Sequence, residues 1–327
     1  MAIIKLTPAC KSYLWGGQRL KQDFHKTFNG DVLAETWELS CHPDGPSTVA
    51  AGPFAGKTLA AYLQLNPAAA GTNCARFQDF PVLIKLIDAH KDLSIQVHPD
   101  NTYALQNERQ FGKTEMWYIV DCEPGAFLYH GFKSAISKEE FRARIANGTL
   151  TEVLNAAPVH PGDTFFIESG TIHAICQGIV IAEIQQNSNV TYRVFDYNRV
   201  GTDGKPRQLH VQKALDVTRT EPARTDYNFG GHLGCCDSFV TDVLQLTGGE
   251  TAGQTDGSTF HSLLAVKGSG SVTCGNETVP FVQGESLFLP ADSGSYRISG
   301  TGTLLRTTVP PENTCLPTGG VTGKGVF

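Results

Sequence analysis

After about Glu221 the chain is almost wholly short alternating strands and turns, a texture that only a β-sandwich or barrel accommodates. The runs 240–246, 261–266, 270–274, 286–289, 296–298 and 304–309 are short and evenly spaced. Each buries one face, so together they predict a second sandwich or barrel whose boundary falls near residue 230. The 34 Gly and 17 Pro, spread without a period over 327 residues, supply the turns this needs. With 40% apolar and 18% charged residues, the chain can bury a core and does not read as disordered.

Upstream, strands mix with a few short helices. A helix is expected over 58–65, ended by Asn66-Pro67, and another from Asp100 to Phe111, closed by Gly112. Ser137 and Glu140 form a capping box for a third, which Asn147-Gly148 stops, and 211–217 reads as a fourth. Strands are expected at 82–88, 93–98, 116–120, 126–129, 164–167, 172–175, 179–185 and 190–195. An internal repeat links Pro161-Gly162-Asp163-Thr164-Phe165-Phe166-Ile167 to Val282-Gln283-Gly284-Glu285-Ser286-Leu287-Phe288-Leu289. The first copy leads to His173; the second leads to Tyr296 and delivers no histidine.

Strand alternation places Ser94, Gln96 and His98 on one face and Ile95 and Val97 on the other. Glu115 opens the apolar run Met116-Trp117-Tyr118-Ile119-Val120, where a carboxylate is buried and needs a partner. His173 follows the turn Ser169-Gly170-Thr171, which aims its ring inward. Two imidazoles and a carboxylate, with Gln96 as a carbonyl donor, suit Zn²⁺ with an open position. They suit a non-haem Fe(II) triad equally. The remaining histidines (25, 42, 90, 130, 160, 210, 232 and 261) read as packed or hydrogen-bonded residues.

Taken in order, Ser94-Ile95-Gln96-Val97-His98-Pro99-Asp100, Gly112-Lys113-Thr114-Glu115-Met116-Trp117 and the stretch from Pro161 to Ala174 resemble the type I phosphomannose isomerases, in their short bacterial form. Asn189-Val190-Thr191-Tyr192-Arg193-Val194-Phe195-Asp196-Tyr197 is similar to the segment that carries the family's active-site arginine. The resemblance implies a mainly β protein of two cupin-like jelly-roll barrels with a few short helices. Residues 1–230 would be the catalytic, metal-binding domain, and 231–327 a barrel without metal ligands. It further implies a zinc enzyme, one ion per chain, that interconverts mannose 6-phosphate and fructose 6-phosphate. Gln96, His98, Glu115 and His173 would hold the metal. Lys113 and Arg193 would be the active-site cations. Two positions depart from the longer members of the family: Gly112, where they carry a ring-opening histidine, and Asn189, where they can carry an acid.

The chemistry of the residues agrees with that implication. Moving a proton between adjacent carbons through a cis-enediol calls for stabilisation of a developing oxyanion, which a divalent metal and a fixed cation provide. A planar guanidinium such as that of Arg193 suits a phosphate dianion, although an ion pair with Asp196 or Glu183 is the competing reading. Glu183, in an otherwise apolar strand, is either a substrate-site carboxylate or a structural partner of Arg193 or Lys85. The rival functions are a cupin oxygenase using Fe(II) and a non-catalytic sugar-binding cupin. Against the first, the usual His-x-His reads Gln96-x-His98; against the second, the donor set is complete.

A formal net charge of −6, without a basic block, argues against a nucleic-acid partner. No apolar run is long enough to span a bilayer, and Met1 to Leu6 does not read as a secretory leader. The nine cysteines, with no C-x-x-C spacing, read as reduced thiols, so the expected setting is the cytoplasm. The sequence leaves the oligomeric state open.

Overall fold

The structure, a computed structural model, describes residues 3–200 and 204–315. In chain order its strands are β1 (Ile4–Thr7), β2 (Ala9–Lys11), β3 (Glu35–Leu39), β4 (Thr48–Val49), β5 (Val82–Ala89) and β6 (Ile95–Val97). Next come β7 (Glu115–Cys122), β8 (Phe127–Phe132), β9 (Leu154–Pro158), β10 (Thr164–Ile167), β11 (His173–Ile175), β12 (Ile179–Gln186) and β13 (Tyr192–Phe195). The last third adds β14 (Gly234–Cys236), β15 (Phe239–Thr255), β16 (His261–Cys274), β17 (Glu277–Val282), β18 (Ser286–Leu289) and β19 (Gly294–Thr308).

The fold is mainly β and jelly-roll-like, built from open sheets rather than closed barrels. A six-stranded sheet, β10-β7-β12-β5-β3-β2, faces a five-stranded one, β13-β6-β11-β8-β9. Between them lies a core of Trp117, Ile119, Ile181, Leu128 and Ile175. The reverse face of the six-stranded sheet carries Ile84, Leu86, Met116 and Ala182, which share a second core with Phe260, Leu264, Phe288 and Leu305 of the last third. A sheet covered on both faces explains why β5 and β12 are buried along their whole lengths and are mostly apolar runs. Lys85 and Glu183 interrupt those runs on the face toward the five-stranded sheet.

The helices follow the cap chemistry of the sequence. Thr58 caps Leu59–Leu65 by accepting from the Ala61 N–H, and Ser137 caps Lys138–Asn147 by accepting from the Glu140 N–H. Gly148, in the left-handed region, ends the latter helix as expected. Asn101–Glu108 stops earlier than Gly112, because Arg109 takes up the left-handed conformation. None of the helices among the described residues is long and apolar enough to cross a membrane.

The last third departs from the expected row of short strands. β15, β16 and β19 are long, continuous and bent, and wrap a core of Leu246, Leu263, Val272, Phe281, Tyr296 and Leu304. The glycines that read as turns are instead crossing points. Gly268 lies opposite Gly302 and Gly270 opposite Gly300, and a Cβ on any of the four would strike a backbone oxygen at 1.9–2.3 Å. Glycine lets these strands bend past each other without breaking. The eight-stranded sheet they form also takes in β1, paired with β18, and β4, paired with β1. Two strands from the first 50 residues thus sit in the sheet of the last third.

One sequence expectation needs correction. Cys235 and Cys315, read as free thiols, form a disulfide across 80 residues, with Cα atoms 5.3 Å apart; β14 and the segment after β19 meet only in the folded chain. The last third also places a histidine inside its own core wall. His261, 8% exposed, bonds the Tyr296 hydroxyl at 2.7 Å. It is a packed, hydrogen-bonded residue, as read from the sequence, on the strand paired with β18.

Candidate functional site

The polar residues of the first sandwich line up in register. Across the five-stranded sheet Arg193, Gln96, His173 and His130 lie directly opposite one another on β13, β6, β11 and β8. Directly opposed residues share a face, so this row looks onto the six-stranded sheet. There a second row runs Trp37, Lys85, Glu183 and Trp117 on β3, β5, β12 and β7. His98, one residue past β6, and Glu115, at the start of β7, close the space between the sheets at one end.

His98 Nε2 and His173 Nε2 lie 3.7 and 3.4 Å from Glu115 Oε1, with all three residues at most 1% exposed. None of these three atoms has a hydrogen-bond partner. Both imidazoles are fixed from behind: the Nδ1 of His98 meets the Val190 carbonyl, and that of His173 the Thr171 carbonyl, each at 2.8 Å. Those bonds place the proton on Nδ1 and aim the Nε2 lone pairs at the carboxylate. Burial, reinforced for His98 by Lys113, keeps His98 well below its ordinary range and brings His173 down to about 3. Three buried acceptors facing one another without a proton between them are costly unless a cation joins them. The donor atoms lie within 4.8 Å of one another, so this set can hold a divalent metal ion.

Behind the donors stands a buried charge ladder. Lys113 Nζ lies 2.5 Å from Glu115 Oε2 and 3.4 Å from Glu183 Oε1, and Lys85 Nζ lies 3.1 Å from the same Glu183 oxygen. The Trp117 indole donates to Glu183 Oε2 at 3.0 Å. Burial opposes the Glu183 charge, but Lys113 and Lys85 outweigh it and hold the carboxyl down to about 2. Glu115 moves the other way, to about 7, because burial and the Glu183 charge both resist its ionisation.

The Arg193 side chain leads from the row toward solvent. Its Nε donates to Ser94 Oγ at 3.2 Å and its Nη1 to the Gln208 carbonyl at 3.0 Å. Neither carboxylate foreseen for it is its partner: Asp196 pairs with Arg199 and Arg207, and Glu183 with Lys85 and Lys113. The structure thus brings Gln96, His98, Glu115, His173, Lys113, Glu183 and Arg193 into one cleft. Sequence reasoning passed over Lys85 as a site residue, although a lysine inside an eight-residue buried strand was a usable signal. It also passed over Arg207 and His130. His130, opposite His173 and 4% exposed, has an unpartnered Nε2, and nothing in its local sequence sets it apart.

Comparison with known proteins places the chain in a family. The family described as "Phosphomannose isomerase type I, catalytic domain" matches residues 3–120, and "Mannose-6-phosphate isomerase, cupin domain" matches 232–309. The chain is 37% identical over 295 residues to the mannose-6-phosphate isomerase of Streptococcus mutans, covering 88% of this chain and 92% of that one. It is 34% identical over 304 residues to the mannose-6-phosphate isomerase ManA of Bacillus subtilis, covering 90% and 94%. Among solved structures, the mannose 6-phosphate isomerase from Bacillus subtilis superposes with a TM-score of 0.85 at 35% identity, over 94% of this chain and 99% of that one.

Proposed function

Because the chain belongs to the type I phosphomannose isomerase family, we propose that it interconverts mannose 6-phosphate and fructose 6-phosphate at the cleft of the first sandwich. One observation carries the reading: three buried donor atoms, on His98, Glu115 and His173, converge without any partner of their own. With the side chain of Gln96 beside them, these residues would hold one Zn²⁺ per chain. Bound there, the ion supplies Lewis-acid polarisation of the sugar oxygens at the two carbons that exchange the proton.

The remaining steps belong to the chain's own side chains. Lys113 is fixed between Glu115 and Glu183, so its ammonium is aimed without a reorganisation cost at charge developing on the enediolate oxygens. Glu183, held ionised, anchors Lys113 and Lys85 together, and Trp117 fixes its orientation. Arg193 leads toward solvent, steadied by the buried Ser94 hydroxyl. Gln96 lies two residues along the strand from Ser94, about 6–7 Å at ordinary strand rise. That separation suits a hexose whose C1–C2 end sits at the buried donors and whose 6-phosphate meets Arg193. The Fe(II) oxygenase reading has no use for a charge ladder that steadies an ammonium beside the donor set.

A coupled assay of purified protein with mannose 6-phosphate, before and after chelation, tests this directly. Turnover is expected, lost on chelation and regained with added Zn²⁺. No turnover by zinc-loaded protein would overturn the reading.

A further inference from the structure

Asp196 sits one residue past β13, and its side chain is 5% exposed. Arg207 meets it as a fork, with Nε 2.7 Å from Oδ2 and Nη2 2.6 Å from Oδ1. Arg199 approaches the same Oδ1 with Nη2 at 2.5 Å and donates Nη1 to the Asp92 carbonyl. One fork satisfies a buried carboxylate; a second guanidinium exceeds what pairing alone requires. Arg193 is tied to this group through the backbone, since its Nη1 bonds the carbonyl of Gln208, the residue after Arg207. It has no carboxylate partner among the described residues. The charges of Arg207 and Arg199 both oppose that of Arg193.

We propose that Asp196 is a positioning residue that fixes Arg207 and Arg199 beside Arg193, so that three guanidiniums and one carboxylate present two net positive charges to the substrate phosphate. The inference rests on the isomerase reading above and specifies its phosphate end. A sugar phosphate carries about −1.5 to −2 at neutral pH, which this corner matches. Without Asp196 the arginines repel one another and lose the shared anchor, so recognition weakens although formal positive charge is gained. The sign of the effect therefore separates positioning from simple charge attraction.

The test uses the zinc-loaded full chain and inorganic phosphate as the probe. Asp196→Asn is expected to raise KM for mannose 6-phosphate about tenfold, the size of one lost charge-assisted contact. The inhibition constant of phosphate should rise in proportion, with kcat changed less than about threefold. Arg207→Gln should act in the same direction, and the double variant should fall well short of the product of the two effects, because Asp196 acts through Arg207. Asp196→Glu should recover part of the KM effect. A KM and phosphate inhibition unchanged or improved in Asp196→Asn, or a fully multiplicative double variant, would overturn the inference. If Asp196→Asn does not fold, Arg207→Lys decides by the same readouts: its side chain is partly exposed, it keeps the charge and loses the fork, so unchanged KM and phosphate inhibition would overturn the inference. Failure of the isomerase reading is distinguishable, because the parent protein would then show no turnover.

Discussion

In the first sandwich β10 sets Ile167 opposite Glu115; in the second, the repeated strand β18 sets Leu289 opposite His261. The next inward-facing polar residue is His173 in one and Tyr296 in the other. Glu115 Oε1 and His173 Nε2 stand 3.4 Å apart, neither with a hydrogen-bond partner, whereas the Nδ1 of His261 and the Tyr296 hydroxyl make a 2.7 Å hydrogen bond. Tyr296 also fills the space. It lies opposite Gly253, where a Cβ would come within 2.2–2.6 Å of its ring and hydroxyl. One scaffold position thus serves two ends, decided by whether the buried polar atoms satisfy each other or wait for a cation.

Exchange of the paired positions should break the symmetry most visibly. His173→Ala is expected to lose bound zinc and isomerase turnover together, whereas His261→Ala should keep both and lose only stability. The latter cost is about 1–3 kcal/mol for a buried hydrogen bond and its unsatisfied partner. Elemental analysis, steady-state kinetics and melting on the same preparations decide; full zinc in the first variant would remove the metal assignment.

Next in size is Arg193→Ala. The zinc should remain, because Arg193 touches Ser94 and the Gln208 carbonyl rather than the donor atoms. Turnover should fall about 10²–10³-fold, as for other losses of one preorganised charge contact, with Arg193→Lys recovering only part. Near-normal kinetics per zinc-loaded molecule would return Arg193 to a structural role.

How much of this was legible beforehand follows from what each level of structure depends on. β10, β18 and the 211–217 helix come out at their read boundaries, since local alternation and periodicity define them. Gln96, His98, Glu115 and His173 were readable because strand parity and turn placement aim side chains. The bends of β15, β16 and β19 were not. A glycine that ends a strand and one that lets two strands cross look identical until the partner strand is known. The partners of Asp196 were hidden, because Arg199 and Arg207 meet it from loops outside any strand, whereas Lys85 was one of the two partners foreseen for Glu183 and register selects it. The Cys235–Cys315 pair depends on contacts across 80 residues, beyond any local pattern.

A smaller effect sharpens the account of the filled site. Gly253→Ala adds a Cβ where the Tyr296 ring already lies, so ring or strand must move. Overpacking of this kind costs about 1–3 kcal/mol. Melting should fall by a few degrees with kcat and zinc content unchanged. A variant as stable as the parent would show that Tyr296 is not wedged against β15.

The smallest effect is a pH dependence to which His261 of the second sandwich contributes a separable share. Burial brings His261 down to about 4 from its ordinary 6.5; Arg306 pushes the same way, and Asp256 and Asp242 oppose it. Between those two values the unfolded chain binds a proton that the folded chain refuses. Stability therefore rises with pH across that window and is lost as pH falls below about 6.5. From pH 7 to 5.5 the His261 share amounts to about 1 kcal/mol, since one unit of difference corresponds to about 1.4 kcal/mol. With excess Zn²⁺ holding His98 and His173 as ligands in parent and variant alike, and His130 common to both, His261→Gln should reduce the slope of the melting profile over this range by that amount. An unchanged slope would mean that His261 titrates normally in the folded protein, and that its bond to Tyr296 does not keep it neutral.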